Sequence, residues 1–282
     1  MKKIPSKIVL NNYYKNQFRY ADGLANEPII RARSKQILKQ IGIIYPFAKT
    51  ICDVGSGHGF FLDEAKKQDY KVLGIEPSNQ LAKTARIKYK VSQFVGSLER
   101  YKKVSGKQFD IVTCIHVVEH VTEPKKFIHS LLQLVKPQGV LFLETPNADS
   151  HLLYAEKAKY TFLIPPEHVW IFSKESIRML LPNNSHIVST NTYSYSEHFM
   201  GIVKKIINKL NYFKRNVIPA QAGIQTKIFN ANADISIKTS RITSLKMRLS
   251  YLLFDKILAP LLTPLLNAYH KGSILELYIS KK

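Results

Sequence analysis

The run Ile51-Cys52-Asp53-Val54-Gly55-Ser56-Gly57-His58-Gly59-Phe60-Phe61 sets three glycines at alternate positions behind a carboxylate. Glycine accepts positive φ and lets a ligand approach the backbone closely. The apolar residues before the glycines read as a strand. Those after them read as a helix, whose first N–H groups have no intrahelical partner. Such a turn suits a nucleotide-like cofactor, and the spacing narrows the choice. The dinucleotide fingerprint G-x-G-x-x-G, begun at Gly55 and Gly57, requires glycine at 60, where this chain has Phe60. Taken alone, Asp53 could simply cap the turn. Glu76 lies 17 residues beyond Gly59, and a carboxylate there can accept from both hydroxyls of a ribose. Farther along stand His116, His120 and His168, side chains able to move a proton near neutral pH.

These groups need a frame, and the surrounding pattern supplies one. Residues 28–42 have apolar residues at helical spacing between Pro28 and Gly42. Strands are predicted at 50–54, 71–75, 91–95, 109–115 and 140–143. Helices are predicted at 60–67, 78–89 and 124–135, with Ser78 as a cap. A further helix at 173–181, capped by Ser173, precedes strands at 186–195 and 273–280. Short apolar strands alternating with helices predict an α/β fold whose parallel sheet is covered on both faces. Residues 196–272 break the rhythm. They read as two basic helical pieces, 197–214 and 243–269, inserted at the sheet edge. Within the linker, residues 216–225 resemble the peptide made when a dispersed bacterial palindromic repeat is translated in frame; an ordinary Pro/Gly loop fits too. The organisation expected is a basic helical segment at 1–44, a binding domain at 45–195 plus 273–282, and an insertion or lid at 196–272.

The pattern D-x-G-x-G-x-G at 53–59 resembles the first motif of class I S-adenosylmethionine-dependent methyltransferases. More matches follow in order: Glu76 ending the second strand, Gly96-Ser97-Leu98 after the third, Phe109-Asp110-Ile111-Val112 opening the fourth, Lys136-Pro137-Gln138-Gly139 before the fifth, and Pro166-Glu167-His168 with Phe172-Ser173 beyond. The resemblance covers residues 30–195 and 273–280, and favours the branch of the ubiquinone-biosynthesis O-methyltransferases. It implies a Rossmann-like sheet of seven strands, mostly parallel, with an antiparallel last strand and a helical insertion before it. It also implies S-adenosylmethionine as cofactor, with Asp53, Gly55, Ser56, Gly57, Gly59, Glu76, Ser97, Leu98 and His116 around it. Ser97 could instead be a plain turn residue, and Glu76 a solvated strand end.

Methyl transfer from a sulfonium needs orientation and a dry site, and a base only where the acceptor must lose a proton. Ligands of such sheets sit beyond the carboxyl ends of the strands. That selects His116, Glu119, His120 and Asn147, with His168 in the loop beyond; His116, His120 and His168 are the candidate catalytic groups. The ubiquinone-type relatives carry Glu-Val-x-Glu-His here and hold a divalent metal with it. This chain reads His116-Val-Val-Glu119-His120, so the first carboxylate is missing and no metal is expected.

The net charge of +22 is uneven. Residues 1–44 carry 9 Lys/Arg against 2 Asp/Glu, residues 45–195 carry 19 against 14, and residues 196–282 carry 14 against 4. Basic ends suit an anionic membrane surface, a phosphorylated substrate or RNA. Isoleucines 202, 206 and 207 with Lys204, Lys205 and Lys209 give one stretch the look of an interfacial helix, although packing onto the domain explains the same stripe. Neither the Asn/Asp-Pro-Pro-Tyr segment of many base methylating enzymes nor an appended RNA-binding motif is present. The partners expected are a small or lipid-linked acceptor and an anionic membrane met peripherally, with no DNA and with RNA disfavoured. Two isolated cysteines in apolar runs, no signal peptide and no run of about 20 apolar residues predict a cytoplasmic protein, with peripheral contact at the inner membrane surface as the other option.

Overall fold

The computed structural model describes residues 26–194 and 269–281. The expected insertion, including the repeat-like linker and the amphipathic stretch, lies almost wholly outside those residues, as does the chain before Asn26. The described residues fall into two compact units, 26–148, 158–191 and 274–281, and 149–157, 192–194 and 269–273.

Seven strands form one sheet: β1 (Thr50–Val54), β2 (Lys71–Glu76), β3 (Gln93–Val95), β4 (Phe109–Ile115), β5 (Val135–Pro146), β6 (Ser185–Tyr193) and β7 (Ile274–Lys281). Their spatial order is β3-β2-β1-β4-β5-β7-β6. The first five run parallel, whereas β7 is antiparallel to β5 and β6. The order reverses between β1 and β4, the topological switch point at which such sheets bind ligands.

Strand alternation sends side chains to two cores. Cys52, Val54, Val112, Cys114, Leu141, Leu143 and Leu277 face one side. There they meet Ile128 and Leu131 of the helix α5 (Pro124–Gln133) and Ile177 of α7 (Lys174–Leu180). Ile51, Ile111, Val140, Phe142 and Tyr278 face the other side. They are covered by Ile37, Leu38 and Ile41 of α1 (Glu27–Ile44) and by Phe61, Leu62 and Ala65 of α2 (Phe60–Lys66). Truncating any such buried leucine to alanine costs about 2–5 kcal/mol. Both cysteines are buried free thiols.

Ser78 caps α3 (Asn79–Tyr89) through the Leu81 N–H. Ser173 caps α7 in a capping box with Ser176. Two helices are additions to the sequence reading: α4 (Leu98–Val104) and α6 (His151–Glu156). The largest boundary change concerns Lys136-Pro137-Gln138-Gly139. The sequence places a turn there and runs the preceding helix to Val135. Instead α5 stops at Gln133, and β5 already pairs at Val135. The register jumps from Phe109↔Val135 to Ile111↔Val140, so the four residues form a bulge inside one long strand. Gln138 takes a positive φ of 62°.

Candidate active site

The glycine turn is built between the carboxyl ends of β1, β2 and β4. All three glycines have positive φ, 81° at Gly55, 52° at Gly57 and 80° at Gly59. Their surroundings differ. A Cβ on Gly55 would lie 2.3 Å from Cγ2 of Val117, and one on Gly59 would lie 2.7 Å from Cβ of Ala85. Nothing stands within 4 Å of a Cβ on Gly57. Two glycines therefore hold the turn tightly to its neighbours, and the middle one borders open space. That is the cradle a cofactor needs.

Glu76 braces the same turn. One carboxylate oxygen accepts from the Gly57 N–H at 2.9 Å and the other from the Ser78 N–H at 2.8 Å. Its carbonyl accepts from the Gly96 N–H at 3.0 Å, which draws in the loop after β3. Burial pushes its carboxyl pKa up, against the pull of the two N–H donors. Ser56 donates to Gln93 at 2.8 Å. Asp53 is buried and accepts from Thr113, its register partner on β4, at 2.7 Å. Burial raises its pKa to about 7, with the nearby Glu76 charge acting in the same direction.

Ser97 is exposed, and its hydroxyl caps α4 by accepting from the Arg100 N–H. The Leu98 side chain enters the core. What Leu98 can offer a cofactor is its backbone N–H at a helix start.

After β4 the chain enters a buried charge network. His116 takes a positive φ of 53°, an unusual conformation for a residue with a side chain. Its Nδ1 is 3.2 Å from Glu119 and its Nε2 is 3.3 Å from Glu144. Desolvation opposes the charged ring, but the two carboxylates win and raise its pKa to about 10. Glu144 also pairs with Arg33 of α1 at 2.8 Å, and Arg33 reaches on to Glu276. Both ring nitrogens of His116 therefore face carboxylates, an arrangement that favours the protonated ring over the proton acceptor expected from the sequence.

The 3-10 turn Val118–His120 carries the rest. Glu119 is fully buried and accepts from the Thr145 hydroxyl at 3.0 Å. Its carbonyl accepts from the N–H groups of Val169 at 2.9 Å and Trp170 at 3.2 Å. Those bonds fasten the distant loop to the turn and bring His168 against His120, ring centroids 4.7 Å apart and edge to face. His120 and His168 are therefore together, and Glu119 joins them. Asn147 is buried and bridges to Phe172.

Residues 26–184 match the family described as a methyltransferase domain. This chain belongs to that family. Its cofactor is S-adenosylmethionine. Among individual relatives, the ubiquinone biosynthesis O-methyltransferase of Hydrogenovibrio crunogenus is 31% identical over 145 residues, 49% of this chain and 54% of that protein. The enzyme of the same name from Salmonella paratyphi A is 28% identical over 128 residues, 43% and 53% of the two chains. The chain thus spans about half the length of the curated relatives it matches. Among solved structures, the magnesium protoporphyrin IX methyltransferase of Synechocystis with bound SAH is similar with a TM-score of 0.53 at 17% identity, over 67% of this chain and 94% of that one. A SAM-dependent methyltransferase from Archaeoglobus fulgidus matches with 0.50 at 15% identity, over 98% and 100%. At these identities the structures speak for the fold.

Sequence reasoning missed Thr113, Gln93, Thr145 and Arg33. Thr113 and Thr145 had a signal, each being polar within an apolar strand. Arg33 had none, since nothing in its helix separates it from Arg31 or Lys35.

Proposed function

We propose that the protein transfers a methyl group from S-adenosylmethionine to a hydroxyl of a small or lipid-linked acceptor. The observation that carries this reading is the open face at Gly57, walled by Gly55 and Gly59 and braced by the buried carboxylate of Glu76. When bound, S-adenosylmethionine supplies a methyl already activated by a sulfonium. Asp53, the backbone of Gly55 to Gly59, Glu76 and the N–H of Leu98 are the groups assigned to hold it. Ser97 has its side chain committed to the helix cap and contributes only as part of that loop. His116 is assigned a fixed positive charge at the cofactor's edge. His120 and His168, at the carboxyl end of β4, are assigned to activating the acceptor hydroxyl. The names of the curated relatives favour oxygen as the acceptor atom and a ubiquinone-type precursor as the acceptor class.

Calorimetry with S-adenosylhomocysteine tests the cofactor half. Binding with a Kd in the micromolar range or tighter is expected, abolished by Gly57→Val, with no heat from NAD. Silence with S-adenosylhomocysteine, or preference for NAD, overturns it. Transfer of labelled methyl to a hydroxylated polyprenyl aromatic tests the acceptor half. The charge of +22 favours one rival, an RNA acceptor; methyl incorporation into RNA with steep salt dependence would establish it instead.

A further inference from the structure

The sheet register sets Gln93 of β3, Gly74 of β2, Asp53 of β1 and Thr113 of β4 in one row beside the glycine turn. Thr113 is bonded to Asp53 at one end of the row. At the other end the Gln93 side chain reaches across Gly74 and accepts from the Ser56 hydroxyl at 2.8 Å. The missing side chain at Gly74 is what lets them meet. A Cβ there would lie 2.2 Å from Oε1 and 2.4 Å from Nε2 of Gln93, and 2.4 Å from Oγ of Ser56. A Cβ on Gly59 would lie 3.6 Å from the same Nε2, and the Gly59 N–H donates to the Ser56 carbonyl at 2.8 Å. The Gln93 amide thus stands against both Ser56 and Gly59. Its own backbone is held by Arg86 of α3, which donates to the Gln93 carbonyl at 2.7 Å. Gln93 is buried, and its Nε2 finds no acceptor among the described residues. An unpaired buried donor lowers stability, so an apolar side chain of the same length would serve the fold as well. Glutamine at this position is explained by what it does for the turn.

We propose that Gln93 is a positioning residue of the cofactor cradle, setting the glycine turn through its hydrogen bond to Ser56. The inference deepens the reading of that turn as the S-adenosylmethionine site and rests on it. Gly55 and Gly59 are held by close packing on Val117 and Ala85, whereas Gly57 borders open space. The middle of the turn therefore depends on hydrogen bonds for its shape. Glu76 supplies one at the Gly57 N–H, and Gln93 supplies the other at the adjacent Ser56 side chain. A site is precise only where the groups behind it lock its geometry. A turn that samples several shapes binds its ligand in the competent one alone, and affinity falls by the fraction of time spent there. Gln93 thus acts on cofactor affinity through Ser56, without itself touching a reacting atom.

Calorimetry with S-adenosylhomocysteine beside thermal melts tests this on the full chain, as wild type, Gln93→Met, Ser56→Ala and the double variant. Each single variant should bind about fivefold more weakly or worse, the size of one hydrogen bond, with a melting temperature within about 2 °C of wild type. The double variant should bind no worse than the weaker single one, because both changes remove the same bond. Gly74→Ala leaves both partners in place and fills the space in which they meet, so it too should weaken the ligand. Amide hydrogens of residues 55–60 should exchange faster in these variants, and those of β5 at the wild-type rate. Unchanged affinity in either single variant, or losses that multiply in the double one, overturns the role. So does an affinity that falls only in step with the melting temperature. A Gln93→Met protein that does not fold would make the residue part of the core and overturn it likewise. Wild type that ignores S-adenosylhomocysteine would fell the cofactor reading itself, whereas variants that bind as well as a binding wild type fell only the role of Gln93.

Discussion

Gly55 and Gly57 share positive φ and differ in their neighbours, which separates a structural glycine from a binding one. Gly55→Ala must push a methyl into Val117 as well as accept a strained backbone. It should lower the melting temperature by several degrees. Gly57→Ala meets nothing, so it should fold with a loss of about 1 kcal/mol yet weaken S-adenosylhomocysteine tenfold or more. Thermal melts beside calorimetry read both, and equal behaviour of the two variants would refute the assignment. Asp53 gives a second prediction. Its folded pKa of about 7 exceeds the unfolded value of about 3.9, so the folded state holds more protons between those limits. Stability of the cofactor-free protein should fall as pH rises from about 4 to about 7. Asp53→Asn keeps an oxygen for the Thr113 hydroxyl and removes the buried charge. It should raise the melting temperature at pH 8, give no gain at pH 4, and weaken the cofactor. A variant less stable at pH 8 would show that Asp53 is ionised without cost. At this scale the sequence was candid about the turn, because each glycine and carboxylate is required by local backbone geometry. It was silent on the protonation of His116, which depends on Glu144, 28 residues away.

Elements were legible where one period ran unbroken, as in β1, α3 and β4. The bulge in β5 was hidden because a Pro-Gly tetrapeptide reads as a turn unless the strands on both sides are known to pair with one neighbour. Asp110 shows what that bulge is for. It accepts from the backbone N–H groups of Lys49 and Thr50, from the Thr50 hydroxyl, and from Lys136 within the bulge. It thereby joins β1, β4 and β5 at the edge opposite the glycine turn. These donors outweigh its desolvation and depress its pKa to about 2. A depressed carboxylate contributes stability that is complete above the unfolded pKa and vanishes as pH falls through the folded one. Wild-type protein should therefore lose about 2 kcal/mol between pH 4 and pH 2 at this group. Asp110→Asn should be less stable at pH 7 by a similar amount and should show a flatter acid limb in urea titrations. Parallel acid limbs in the two proteins would remove Asp110 from the account.

For the whole molecule, charge is the property that no single element explains. The stretch at 45–195, which holds the assigned cofactor and acceptor residues, is nearly balanced, and the excess of Lys and Arg falls in residues 1–44 and 196–282. No helix among the described residues is long and apolar enough to cross a membrane. Basic ends of this kind are drawn to an anionic leaflet, each basic residue near the surface adding about 1 kcal/mol. An acceptor carried on a lipid tail lies in that surface, and a basic chain is drawn to it before any site contact forms. The chain should sediment with vesicles containing anionic phospholipid at low salt and ignore neutral ones. Raising the salt toward 1 M shortens the screening length to about 3 Å and should release it. Methyl transfer to a membrane-held acceptor should fall over the same salt range, while transfer to a short-chain soluble analogue stays level. Equal binding to neutral vesicles would mean apolar insertion instead, and release by RNA with no loss of turnover would assign the charge to a nucleic acid.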